Sequence, residues 1–234
     1  MAVSSPLSSG QTVAALLTLT AVTGLVDAVS YLQLGRVFVA NMTGNVVFLG
    51  FSVDPDAGLS APASMIAIVG FVLGALAGGR TAHALADRPG RWLATAFTGE
   101  AVILALVAVL TGTGLLPYGG DGRLATIVIL AAALGVQNST VRHLGAPDLT
   151  TTVLTLTLTG LAADSALAAG SGAKPHRRLG SVAAMLAGAA AGAGILQWSP
   201  TVVIAIAAAL VAAVGAAFKT AAHQGQPDPS TSRP

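Results

Sequence analysis

The chain has 234 residues, 54% of them apolar and only 9% charged, where a soluble domain carries roughly 25% charge. So few charges cannot cover a water-facing surface, and the mean hydropathy of +0.79 agrees: the solvent of this chain is mostly lipid. Eleven cations and nine anions leave a net charge of +2 without the Lys/Arg cluster that nucleic-acid binding needs, and the absence of cysteine removes disulfide frameworks, thiolate zinc sites and Cys nucleophiles.

Met1–Pro6 lacks the positive n-region of a signal peptide, and the apolar stretch that follows is longer than an h-region. Residues 1–10 are therefore expected to be a short tail and Gln11–Leu34 a retained span. A crossing helix needs about 20 largely apolar residues. Late in this first span come Gly24, Asp27 and Tyr31. A carboxylate inside a span costs about 2.5–3.5 kcal/mol on insertion scales and marks a functional candidate by default.

The next apolar stretch, Val37–Val53, is short and interrupted by Asn41-Met42-Thr43-Gly44-Asn45. Gly44 permits a helix break, and Asn and Thr can cap the ends so formed. In hydrocarbon the freed backbone groups must be satisfied or must line a wet cavity. Asn41, Thr43, Gly44 and Asn45 are thus candidates for solute contact, the alternative being a tight turn between packed half-helices.

Ala63–Ala86 carries Gly70, Gly74 and Gly78 at the spacing of a small-residue packing face. Trp92–Thr113 carries Glu100, a second intramembrane carboxylate, and closes a first membrane repeat over residues 11–113. After a connection at 114–121, Leu124–His143 carries Gln137, Asn138 and Arg142. The hydroxyl-rich Thr150–Ala169 carries Thr151, Thr152 and Thr155, followed by Asp164. Thr151, Thr155 and Thr159 share one helical face. Leu179–Trp198, with Gly188 and Gly192, and Thr201–Phe218 complete a second repeat over 122–218, and residues 219–234 are expected to be a polar, disordered tail. The glycine faces could also join two copies of the chain.

Basic residues arbitrate the topology. Arg80, Arg88 and Arg91, then Lys174, Arg177 and Arg178, mark two cytoplasmic loops, and Lys219 and Arg233 a cytoplasmic tail. All fall on one side only if Val37–Val53 and Thr150–Ala169 enter and leave by the same face. The expected fold is an all-α polytopic transmembrane bundle of two repeats, each with three full spans and one broken or re-entrant segment, both termini inside. Eight full spans is the alternative. Gly24–Gly35 resembles Gly135–Gly145, with Asp27 matched by Asn138, and Gly70, Gly74 and Gly78 match the spacing of Gly188 and Gly192. Inverted repeats with broken helices at matching positions are a transporter plan, with the site where the breaks meet.

The histidines, His83, His143, His176 and His223, show no metal-ligand spacing, and no cofactor is expected. Gly170-Ser171-Gly172 lies beside Lys174 and Pro175 with no His placed to serve it, so an enzyme is not expected. Gly24-Leu-Val-Asp27-Ala-Val-Ser-Tyr31-Leu followed by Val37-Phe38-Val39-Ala40-Asn41-Met42-Thr43-Gly44-Asn45 resembles the YoaK-type family of bacterial integral membrane proteins, as do Gly135-Val-Gln137-Asn138 and Thr151-Thr152. That resemblance implies a multi-pass protein of the bacterial inner membrane and leaves the activity unassigned. The residues themselves suggest a secondary transporter of a small solute, with Asp27 coupling proton movement and with Glu100 and Asp164 as secondary candidates. A membrane-embedded structural or partner-binding protein is the alternative.

Overall fold

A computed structural model describes residues 5–144, 154–165 and 175–224. Helix α1 (Ser9–Gln33) starts on a capping box: Ser8 Oγ accepts the Gln11 N–H at 3.3 Å, and Gln11 Oε1 accepts the Ser8 N–H at 3.1 Å. It stops where Gly35 and Arg36 take positive φ, 91° and 55°, and the Arg36 N–H returns to Tyr31 O at 3.0 Å. Non-helical backbone leads to the short α2 (Met42–Phe51) and a 3-10 turn at Pro55–Ala57. The long α3 (Ala61–Ala84), α4 (Pro89–Gly112) and α5 (Gly120–His143) follow, then the short α6 (Leu154–Ala163) and the long α7 (Pro175–Ile195) and α8 (Pro200–Gln224). Among the described residues there is no strand.

Six of these helices are long and apolar enough to cross a membrane. The chain is a multi-pass membrane protein. The other two, α2 and α6, have ten residues each, about 15 Å at 1.5 Å per residue, or half of a roughly 30 Å hydrocarbon core. Among the described residues, neither reaches the length of a full span. The last helix runs to Gln224, six residues past the expected end at Phe218, because no Gly or Pro interrupts it before Gly225 and Pro227. At the other end, the Ser8 cap starts α1 inside the stretch expected to be a tail.

Helix pairing is dominated by close glycine contacts. Helix α1 crosses α7 where a Cβ on Gly24 would lie 2.5 Å from Met185 O, and one on Gly188 would meet Ala21 O. Helix α3 crosses α5 where a Cβ on Gly135 would meet Phe71 O and one on Gly74 would meet Ala132 O. Gly78 approaches Val136 and Ser139 as Gly192 approaches Leu25 and Ala28. Backbones come this close only where side chains are missing. The glycine faces expected to join two copies are covered by helices of the same chain. Helix α4 packs on both α5 and α8, α1 packs on α8, and the short α2 and α6 lie on α3 and α7.

The distribution of polarity is that of a protein in lipid. Val69, Leu73, Leu76, Val102, Leu106 and Val109 point outward. Thr20, Thr23, Asp27, Asn45, Glu100, Gln137 and Thr140 are buried. Buried threonines of α1 donate to their own helix, Thr20 to Leu16 O at 2.9 Å and Thr23 to Leu19 O at 3.0 Å, which satisfies their hydroxyls without a neighbour.

Candidate functional site

The stretch that breaks the helical run after α1 is closed by two side chains. Asp27, buried a turn and a half before the end of α1, accepts the N–H groups of Val39 and Ala40 on Oδ1, both at 3.0 Å. Asn45, buried in the first turn of α2, accepts the Phe38 N–H at 2.9 Å and donates to Phe38 O at 2.6 Å. Non-helical backbone at membrane depth must find partners inside the protein, and these two residues supply them for positions 38–40. Asn41 caps α2, its Oδ1 accepting the Gly44 N–H at 3.4 Å. Gly44 has no side chain because a Cβ would sit 2.7 Å from the Phe38 ring. Tyr31 stacks on Phe38 with centroids 5.1 Å apart, and Phe48 lies 5.6 Å from Phe38 on that ring's account.

Asn41, Gly44, Asn45, Asp27 and Tyr31 thus come together, chiefly to hold one another. Thr43, from the same motif, points outward. The sequence suggested candidates for solute contact or a tight turn; in the structure the backbone groups of the break are taken by the side chains of Asp27 and Asn45, which form a packed clasp. Asp27 Oδ2 is the exception, a buried oxygen with no hydrogen-bond partner.

Gln137 joins α5 to α1, its Nε2 donating to Thr23 Oγ1 at 2.9 Å, one turn before Asp27. Its Oε1 and Thr140 Oγ1, on the same face of α5, are buried without partners. Asn138 donates to Leu134 O at 2.9 Å. Arg142 is exposed in the last turn of α5 and does not enter this group.

Among the described residues, Glu100 is the other buried carboxylate of the long helices. It is 1% exposed, and neither carboxylate oxygen has a hydrogen-bond partner. Helices α4 and α5 are joined by a short connection and so run antiparallel, with Trp92 of α4 against His143 of α5 at 6.3 Å between rings. From that contact Glu100 lies about 12 Å and Gln137 about 9 Å into the bundle, at 1.5 Å per residue. Glu100 therefore stands within about one helical turn of the Gln137–Thr23 level.

The second half supplies less than the sequence suggested. Thr151 and Thr152 lie outside the described residues. Thr155 is exposed on α6, as is Thr159, while Thr157 is buried, so the inward face of α6 is the opposite of the one the 151/155/159 spacing favours. Asp164 follows α6 in a turn and pairs with Arg178 of α7 at 2.6 Å, its side chain 48% exposed. It is an end-of-helix ion pair. Residues missed in the sequence are Thr23, legible as a hydroxyl one turn before Asp27, and the grouping of His83, His143 and Trp92. His83 and His143 meet edge to face at 5.8 Å; three different helices bring these rings together, and no local spacing announces it. Among the described residues no three metal-ligating side chains gather.

The profile of a family described as a protein of unknown function, DUF1275, matches residues 15–217. The chain is also similar to the UPF0700 transmembrane protein YoaK of Bacillus subtilis (strain 168), with 33% identity over 158 residues. Those residues make up 65% of this chain and 66% of that relative, just under two thirds of its length. No solved structure matches.

Proposed function

We propose, for a chain that belongs to the DUF1275 family of transmembrane proteins, the function of a small-solute secondary transporter of the bacterial inner membrane, in which Glu100 carries the coupling proton. The observation that carries this reading is the buried, unpartnered Glu100 carboxylate at the level of Gln137 and Thr23. Intramembrane carboxylates that face a bundle interior serve ion and proton pathways far more often than they serve packing. No donor or cation holds Glu100 in place, so its proton is free to be exchanged with a solute or water entering between the helices. Asp27, with Oδ1 committed to two backbone N–H groups, becomes the scaffold of the site, and its Oδ2 the second acceptor.

The arrangement of helices supports the same reading. Exchanging α1, α2, α3 and α4 for α5, α6, α7 and α8 leaves the helix pairings unchanged: α1 on α7 becomes α5 on α3, and α1 on α8 becomes α5 on α4. The contact of Gly24 with Met185 and of Gly188 with Ala21 becomes that of Gly135 with Phe71 and of Gly74 with Ala132. With three crossings per half, the copies sit in opposite orientations, and the short α2 and α6 re-enter from opposite faces, as in inverted-repeat transporters. Both termini then lie in the cytoplasm with Arg80, Arg88, Arg91, Arg177 and Arg178, leaving Asp54 and Asp56 outside.

The purified protein in liposomes loaded with a pH-sensitive dye tests it. Under an imposed solute gradient, drawn from panels of amino acids, organic acids and inorganic cations, the wild type should move protons, and Glu100→Gln should reduce that flux at least about tenfold. Equal flux in Glu100→Gln and wild type would remove Glu100 from the pathway. A second reading, a membrane-embedded structural or partner-binding protein, is favoured by the clasp at Asp27 and Asn45, whose hydrogen bonds are all internal. It predicts no protein-dependent flux for any member of the panel.

A further inference from the structure

Helices α4 and α8 lie antiparallel, with Gly90 against Ala222, Phe97 stacked on Phe218 at 5.6 Å, and Thr111 beside Thr201. Beside this seam are two adjoining hollows of about 730 and 610 Å³ that share Thr98, Val102 and Lys219 in their walls. Each has the size of a ligand site, and their characters differ. The first, at the end where α4 begins and α8 finishes, is lined by Arg91, Lys219 and His223 together with Thr95 and Thr98. The second is walled largely by alanines, Ala101, Ala105 and Ala108 from α4 and Ala205, Ala209 and Ala212 from α8.

The cationic end has a second feature. Helix α4 starts at Pro89 behind Arg88, which makes no side-chain cap, and Gly90 and Arg91 line the hollow. An uncapped helix start presents free N–H groups and the positive end of the helix dipole. No carboxylate lines either hollow among the described residues. The site offers positive charge and hydrogen-bond donors at one end and a smooth apolar trough at the other. From Lys219 to Ala205 the trough runs about 21 Å along α8, longer than the roughly 15 Å of one leaflet of hydrocarbon.

We propose that this groove binds an anionic phospholipid. The phosphate sits between Arg91, Lys219 and the first turn of α4, and one acyl chain lies in the alanine trough. Charge complementarity selects the anionic headgroup, since a zwitterionic lipid would bring its cation against three basic side chains with no acid to receive it. A second copy of the chain would have to bury those same basic side chains against an apolar helix face, which is costly. Free phosphate would leave the trough empty. Basic pockets at the cytoplasmic ends of membrane helices are suited to such headgroups, and this end is the one the proposed topology places in the cytoplasm.

Native mass spectrometry of the full-length protein, titrated with phosphatidylglycerol and with phosphatidylcholine of identical chains, tests the site. The expected result is preferential retention of phosphatidylglycerol, weakened about fivefold by Arg91→Gln and again about fivefold by Lys219→Gln, with phosphatidylcholine unaffected. Both positions are exposed, so the fold should survive, and unchanged thermal unfolding of each variant confirms it. Ala209→Trp, which fills the trough, should weaken both lipids. Equal retention of the two lipids by wild type overturns the proposal, as does unchanged phosphatidylglycerol binding in the double variant. Displacement of phosphatidylglycerol by millimolar inorganic phosphate would reduce the site to an anion contact, and a dimer that excludes lipid from the groove would assign it to a second copy; either result overturns the proposal.

Discussion

A single carboxylate oxygen organises the most distinctive part of this chain. Asp27 Oδ1 receives two N–H groups from positions 39 and 40, and a buried donor left without a partner costs about 1–3 kcal/mol. Asp27→Leu should therefore lower stability by about 2–5 kcal/mol, read as a lower melting temperature in detergent. Asp27→Asn keeps a carbonyl oxygen in place of Oδ1 and should lose about 2 kcal/mol or less. Equal melting temperatures for the two variants would show that the oxygen does not hold the turn. Asn45→Leu removes an acceptor and a donor at once and should resemble Asp27→Leu. The motif Asn41–Asn45 was legible as a helix break, but its partner Asp27 lies on the other side of a turn that sets two successive residues at positive φ. No pattern in the sequence states that the aspartate turns toward that backbone.

At the scale of elements, glycines decide which helices touch. Gly74 faces the backbone of Ala132, and a methyl group there must push α3 from α5. Gly74→Ala should destabilise by about 1–3 kcal/mol, the usual penalty of overpacking. Gly99, inside α4, has nothing within 4 Å of its missing Cβ, so Gly99→Ala should be neutral or stabilise by up to about 1 kcal/mol through helix propensity. Thermal unfolding of the two variants side by side checks the contrast; similar shifts of the same sign would contradict it. The four-residue spacing of Gly70, Gly74 and Gly78 announced a packing face in the sequence. It did not say which helix would fill it, because every span of the chain presents small residues. The close fit of Gly135 on Phe71 and Ala75 names α5 as the answer.

At the scale of the whole molecule, the lengths of α2 and α6 govern the number of crossings. The chain has no cysteine, so single cysteines report topology directly. Asp87→Cys and Gln224→Cys should react with a membrane-impermeant maleimide from one side, and Asp56→Cys and Gly119→Cys from the other. Eight crossings would place positions 87 and 224 on opposite sides, and that labelling pattern would overturn the six-span arrangement.

Composition and hydropathy alone determined that the chain lives in lipid and where its six long helices lie, and they marked Val37–Val53 and Thr150–Ala169 as too short or too polar to read as ordinary spans. Those properties depend on the number and spacing of apolar residues, which are local. Asp164 shows the limit of such reading: its place beside an apolar run made it look like a membrane carboxylate, yet α7 brings Arg178 to it outside the run. Glu100 shows the converse. Only the tertiary structure showed that Asp27 serves backbone while Glu100 serves none, because the partner of a buried polar group comes from a distant part of the chain. The rare charges counted at the outset were enough to place the protein in a membrane; the packing of neighbouring helices decided which of them is left without a hydrogen-bond partner.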